Sequence, residues 1–299
     1  MGHIITDLKE AFRRGNVYIQ LIFINVGVFV IKTLIGILLQ LFNRSAAGIF
    51  ELLALPASFT RLAWQPWSIF TYMFMHAGFL HILFNMLWLY WFGALFLYFF
   101  SGKHLRGLYI VGGICGGLLY MISYNVFPYF RPMTAYSTMV GASASVLAIV
   151  VATAYREPNY PVRLLFFGNV RLKYLALIVV LTDLLFITSS NAGGHIAHLG
   201  GALAGLWFAA SLNKGKDITS WVNKALDAIA ALFSAKTWKR KPKMKVHYGN
   251  NTRQNDYDYN ARKKAQSDEI DRILDKLKKS GYESLTTEEK KSLFDASKR

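Results

Sequence analysis

Six long apolar runs, at about residues 17–41, 71–100, 104–124, 138–155, 172–190 and 195–212, alternate with polar connections along the chain. A hydrocarbon layer takes roughly 20 helical residues to cross, so each run is read as a membrane-spanning helix. The pattern predicts an all-α membrane protein: a six-helix transmembrane bundle over residues 17–213, a polar N-terminus over 1–16 and a small helical tail.

Between the first two runs, about 42–70, Trp64 and Trp67 stand near Pro56 and Pro66. Indole rings favour the membrane interface, so this segment is expected to lie there. Residues 214–266 read as an amphipathic helix followed by a basic flexible linker: Trp221, Ala225, Leu226, Ile229 and Phe233 recur at helical spacing, whereas 239–266 carries no periodic apolar face. Over 267–299 a small helical hairpin is expected. Ser267 can cap a helix carrying Ile270, Ile273, Leu274 and Leu277, Gly281 can end it, and Thr286 with Glu289 makes a capping box for a second helix with Leu293 and Phe294. Two such helices bury little apolar surface, so the hairpin is expected to dock on loops of its own bundle or on an unidentified partner.

Charge sets the orientation, because Lys and Arg gather in the cytoplasmic connections. With the N-terminus inside, the inner connections hold Lys9, Arg13, Arg14, Lys103, Arg106, Arg156, Arg163, Arg171, Lys173, Lys214 and Lys216; the outer ones hold Arg44, Arg61 and Arg131. Both termini of this multi-pass chain are therefore expected in the cytoplasm. Residues 1–16 lack a short apolar run ending in small residues, so the first run is expected to be a span and not a cleaved signal. The net charge of +17 lies largely beside span ends and in residues 236–245, which suits anionic membrane lipids and not nucleic acid. The single cysteine, Cys115, has no internal disulfide partner and, among Gly112, Gly113, Gly116 and Gly117, reads as part of a close helix contact.

Polar side chains inside spans are costly, so their depths bear on function. His81 and Asn85 lie four residues apart, on one helical face, in the outer half of the second run. In the fourth run Gly141-Ala142-Ser143 follows an outer entry near residue 138, which at 1.5 Å per residue puts Ser143 roughly 8 Å below the boundary. In the sixth, His195 and His198 also lie toward the outer side, ahead of Gly201 and Gly205, whose spacing lets another helix approach. A serine, histidines and an amide thus share one outer layer.

A serine hydroxyl is a weak nucleophile until a base takes its proton, and His198 supplies an imidazole. Attack on a peptide carbonyl creates an oxyanion that well-placed donors stabilise by about 3 kcal/mol each. The Ser143 amide, His81 and Asn85 offer three. This chemistry calls for no metal and no organic cofactor.

Through Gly141-Ala142-Ser143, the His81 and Asn85 pair, and Ala197-His198 followed by Gly201 and Gly205, residues 10–213 resemble the rhomboid family of intramembrane serine proteases. The resemblance implies Ser143 as nucleophile, His198 as base, His81 and Asn85 as oxyanion donors, and a Ser-His dyad without an essential acid. It also implies transmembrane protein substrates, cut near the outer face after entering sideways past the fifth span. The tail resembles a small domain that follows some bacterial rhomboid bundles, which implies a bacterial inner membrane. Ala144 follows the nucleophile where the commonest pattern has glycine. Leu147 stands where some members place a tyrosine against the catalytic imidazole, so other contacts must position His198. The Trp-Arg pair of some members is absent from the first outer loop.

Other readings stay open on the residues alone. His195 competes with His198 as base, and His76 suits an oxyanion donor, a water-facing residue or a loop contact. Asp183, in the fifth run, suits a structural hydrogen bond, a protonated acid facing a polar cavity, or the third member of a triad. Lys32, in the first run, snorkels or pairs inward. A non-catalytic rhomboid-like protein that holds client transmembrane helices would need neither Ser143 nor His198. A transporter would place its polar site at the midplane of repeated halves, whereas here the polar layer is shallow and one-sided.

Overall fold

The computed structural model describes residues 10, 12, 15–164, 168–232 and 252–297. The chain divides into two compact units, Met1–Thr237 and Trp238–Arg299. In the first unit the six apolar runs give helices α1 (Val17–Leu41), α2 (Phe79–Phe99), α3 (Gly102–Val126), α4 (Ser143–Arg156), α5 (Leu172–Leu185) and α6 (Ala192–Asn213). Four of them, α1, α2, α3 and α6, are long and apolar enough to cross a membrane. The other two, α4 and α5, have 14 residues each, or about 21 Å of helix.

The central position of α4 explains why so short a helix suffices. Every residue from Ala144 to Ala154 is buried, and α2, α3, α5 and α6 all pack against it. Its apolar stretch therefore meets protein and not lipid. Glycines make the approach possible: a Cβ at Gly201 or Gly205 of α6 would strike the backbone carbonyl of Ala144 or Ala148. From the other side, a Cβ at Gly112 or Gly116 of α3 would lie 2.5 Å from the Ala148 Cβ or 2.6 Å from the Ala144 Cβ. Gly116 thus leaves room for the methyl group that Ala144 carries in place of glycine. Cys115 belongs to the same packed seam, its carbonyl oxygen 2.7 Å from where a Gly200 Cβ would stand.

Around this core α1 is peripheral, with Leu21 and Asn25 its buried residues. Asn25 Nδ2 donates to the Tyr109 hydroxyl of α3 at 3.0 Å. Lys32 Nζ donates to the His76 carbonyl at 2.6 Å, so this cation pairs inward.

Two helices begin later than the apolar pattern implies. Residues 71–78 complete a short helix (Ser68–Thr71) and a 3-10 turn (Tyr72–Phe74), then run extended through Gly78, and α2 starts at Phe79. In the outer segment Leu55–Pro56 (β1) pairs antiparallel with Thr138–Met139 (β2). Gly141 then takes a φ of 140°, which side chains rarely allow, and α4 starts at Ser143 itself. A depth counted along a helix from residue 138 therefore does not hold. Apolarity marks shielding from water, and buried loops share it with helices.

A hairpin, Pro161–Leu164 (β3) with Gly168–Arg171 (β4), joins α4 to α5. After α6, helix α7 (Ser220–Leu232) buries Val222 and Asn223 and leaves Trp221, Ile229 and Leu232 exposed. Arg106 of α3 ties it down through Asn223 Oδ1 at 3.0 Å and Asp227 Oδ1 at 2.9 Å. The remainder of the expected amphipathic stretch, 233–238, lies outside the described residues.

The second unit contains α8 (Thr252–Ser280) and α9 (Thr287–Ser297), with Ile273 and Leu285 buried. Gly281, at φ 75°, ends α8. The capping box forms: Glu289 N donates to Thr286 Oγ1 at 3.3 Å and Thr286 N donates to Glu289 Oε2 at 2.8 Å. One expectation is corrected, because α8 begins at Thr252 and not at Ser267, so 252–266 is helix instead of linker. Arg262, Lys263, Lys264, Ala265 and Gln266 are strong helix formers, and a solvated turn needs no apolar face to announce it. The rest of that linker, 239–251, lies outside the described residues.

Candidate active site

Four helices contribute to one cavity of about 220 Å³. Its lining is Phe84, Asn85 and Trp88 from α2, Ser143, Val146 and Leu147 from α4, Val179 from α5 and His198 from α6. The polar members are Asn85, Ser143 and His198, and each comes from a different helix.

Ser143 is the first residue of α4. Its amide and those just after it have no partner inside the helix, and the positive end of the helix dipole lies at this point of the cavity. Gly141 shapes the approach: a Cβ there would sit 3.0 Å from His81 Nε2 and 3.6 Å from Ser143 Oγ, so both side chains converge on one backbone corner. Ser143 and His198 share the cavity without a hydrogen bond between them. Such bonds are often long in empty sites and tighten with substrate.

The two imidazoles are set in opposite tautomers by their partners. Ala77 N–H donates to His81 Nδ1 at 3.3 Å, which leaves the ring proton on Nε2, beside Gly141 and Ser143. Asn85 Nδ2 donates to the His81 carbonyl at 2.8 Å and keeps a second N–H. Both groups suit donation to an oxyanion at the start of α4. His198 Nδ1 lies 2.8 Å from Asp183 Oδ1. With the carboxylate as acceptor the proton sits on Nδ1, and the Nε2 lone pair is free to act as a base.

Residues 63–214, which include every helix lining the cavity, match the rhomboid domain. The chain belongs to the rhomboid family. It is an integral membrane protein of multi-pass character. Over 158 residues it is 29% identical to a protein of Arabidopsis thaliana named RHOMBOID-like protein 12, mitochondrial, a match covering 50% of this chain and 47% of that one. The chain thus spans about half the length of the curated relative it matches. Residues 254–299 match a family of unknown function.

Several polar residues of this rhomboid stand apart from the cavity lining. His195 Nδ1 is also 2.8 Å from Asp183 Oδ1, and its ring lies 6.1 Å from that of Phe186. His76 is buried with neither ring nitrogen hydrogen-bonded, and it meets His81 edge-on at 5.2 Å. It packs against the His81 ring. Asp183, His195 and His198 place one potential ligand atom each within 4.8 Å of the others, the one such group among the described residues, although both contacts to Asp183 have hydrogen-bond length.

The sequence alone left Asp183 open between a structural hydrogen bond, a protonated acid facing a polar cavity and a triad member; its contact with both histidines was missed, although topology held a signal for it. α5 runs toward the side where α6 begins, so an acid near the end of one and histidines near the start of the next fall into one layer.

Proposed function

We propose that this rhomboid is an intramembrane serine endopeptidase that cuts transmembrane segments of other membrane proteins close to the outer face. The cavity shared by Ser143, His198 and Asn85 is the observation that carries the reading. Its walls Phe84, Trp88 and Val179 come from α2 and α5, and α5 packs on α4 and α6 with no comparable contact to α2. A substrate helix enters from lipid along that weakly packed side.

Ser143 Oγ attacks the scissile carbonyl carbon and its proton passes to His198 Nε2. The carbonyl π electrons move onto oxygen, where the Ser143 amide, His81 Nε2–H and Asn85 Nδ2–H stabilise them. Collapse breaks the C–N bond, and His198 gives its proton to the leaving amine. Water, activated by the same base, then hydrolyses the acyl-enzyme and restores Ser143.

Residues 17–213 are the protease domain, and 214–299 lie on the cytoplasmic side with the N-terminus, a reading supported by the basic inner connections. The setting is a bacterial inner membrane, whose anionic leaflet suits the +17 charge.

The test incubates the purified full chain with transmembrane substrates that have a small residue before the cut and helix-weakening residues after it. Wild type is expected to give product, and the Ser143→Ala and His198→Ala variants none. If wild type binds several such helices and cuts none, the protein is a non-catalytic client binder. Equal cutting by Ser143→Ala would place the nucleophile elsewhere.

A further inference from the structure

We infer that Asp183 is a positioning residue for His198, one carboxylate holding two imidazoles and fixing the base that serves Ser143. The inference rests on the protease reading above and adds to it the group that fixes the base.

α5 is the least enclosed of the helices around α4, and Leu172, Ala176 and Asp183 are its buried residues. A helix with so small a buried set nonetheless places a carboxylate inward, its side chain 5% exposed, with Oδ1 2.8 Å from Nδ1 of both His198 and His195. Its Oδ2 has no hydrogen-bond partner among the described residues. A buried carboxylate is costly unless its neighbours donate to it, so both rings are drawn into the tautomer with the proton on Nδ1.

For His198 this is the productive tautomer. Nε2 keeps its lone pair toward the cavity and takes the Ser143 proton, while the Nδ1 proton stays in place and the imidazolium forms beside a negative charge. His81 is held the other way, with its Nδ1 accepting from Ala77, and serves as donor. The arrangement also supplies what Leu147 cannot: an aliphatic side chain lines the cavity near the ring but offers it no hydrogen bond. The 82° angle between the His195 and His198 rings shows that they reach Oδ1 from different directions. His195 thereby limits the swing of the carboxylate and positions the base at one remove.

The test compares Asp183→Asn with wild type in the full chain. An amide keeps the size of the side chain but can donate to Nδ1, which moves the ring proton to Nε2. The expected result is a kcat lowered by about 10²- to 10⁴-fold, with KM and melting temperature unchanged. Labelling of Ser143 by a fluorophosphonate probe should slow in parallel, which a remote structural role would not produce. Asp183→Glu, which restores an acceptor, should recover part of the rate. If the Asn variant does not fold, Asp183→Ser takes its place with the same expectation.

Wild-type kcat and labelling in a folded Asn or Ser variant would overturn the inference while leaving Ser143 and His198 as the dyad. Loss of activity on chelation, restored by zinc alone, would also overturn it, because Asp183 would then serve a metal. Failure of the protease reading looks different: Ser143→Ala would still cut, or wild type would not.

Discussion

Replacing Gly201 by alanine adds one carbon where α6 meets the start of α4. The new Cβ would strike the Ala144 carbonyl oxygen and lie 2.7 Å from its carbon and 2.9 Å from its Cα, all backbone atoms with no rotamer to turn away. Restoring ordinary contacts of about 3.5 Å, above all to the carbonyl oxygen, requires the two helices to part by more than about 1 Å. Overpacking of this kind costs about 1–3 kcal/mol of stability. Ser143 adjoins Ala144, and His198 lies three residues before Gly201 on the same face of α6, so the separation falls directly on the pair. A misplacement of about 1 Å costs roughly 10²-fold in rate. Melting and cleavage of a transmembrane substrate are measured together, with Gly27→Ala in α1 as control, since a Cβ there meets nothing within 4 Å. The Gly201 variant should lose far more activity than its melting shift explains, and the Gly27 variant should match wild type. Wild-type cleavage by Gly201→Ala would refute the claim that this glycine contact sets the geometry of the site.

Other perturbations should sort by the part they touch. Truncating an oxyanion donor, His81→Ala or Asn85→Ala, should lower kcat by about 10²- to 10³-fold with little change in KM, measured on the same substrate. Arg106→Ala should remove the ties to Asn223 and Asp227 and expose α7 to limited proteolysis, with about 1 kcal/mol or less at stake for partly exposed groups and cleavage activity retained. In the tail, the Lys276 ammonium and then the Thr286 amide hold the Glu289 carboxyl below its usual value of 4.5. A depressed carboxylate stabilises the fold above its unfolded value, and that stability is lost as pH falls through the lower folded value. Protection of α9 amides from exchange should therefore decline on acidification through that window, and Lys276→Ala should weaken the dependence.

Much of this architecture was legible because lipid and a buried seam leave strong marks. The apolar runs announce six helices, and Gly201 and Gly205 announce a close contact whose partners prove to be Ala144 and Ala148. The starts of α2 and α4 were not legible, since Met75 and Met139 are apolar and buried whether helical or not. The helical part of the linker, 252–266, hid for the opposite reason: it carries no apolar stripe, and residues 259–266 are exposed. The nearness of Ser143, Asn85 and His198 follows from the order of the helices that carry them and not from the depth counted for Ser143, whereas the tautomers depend on Ala77 and Asp183, contacts that no spacing rule reveals.

The central claim is that Ser143 is the nucleophile and His198 its base. Treating the folded protein with a fluorophosphonate and mapping the adduct by mass spectrometry tests it most directly. A single phosphonyl group on Ser143, proteolysis lost in proportion to labelling, and no adduct in His198→Ala are the expected results. An adduct on another residue, or full cleavage by protein labelled at Ser143, would contradict the account.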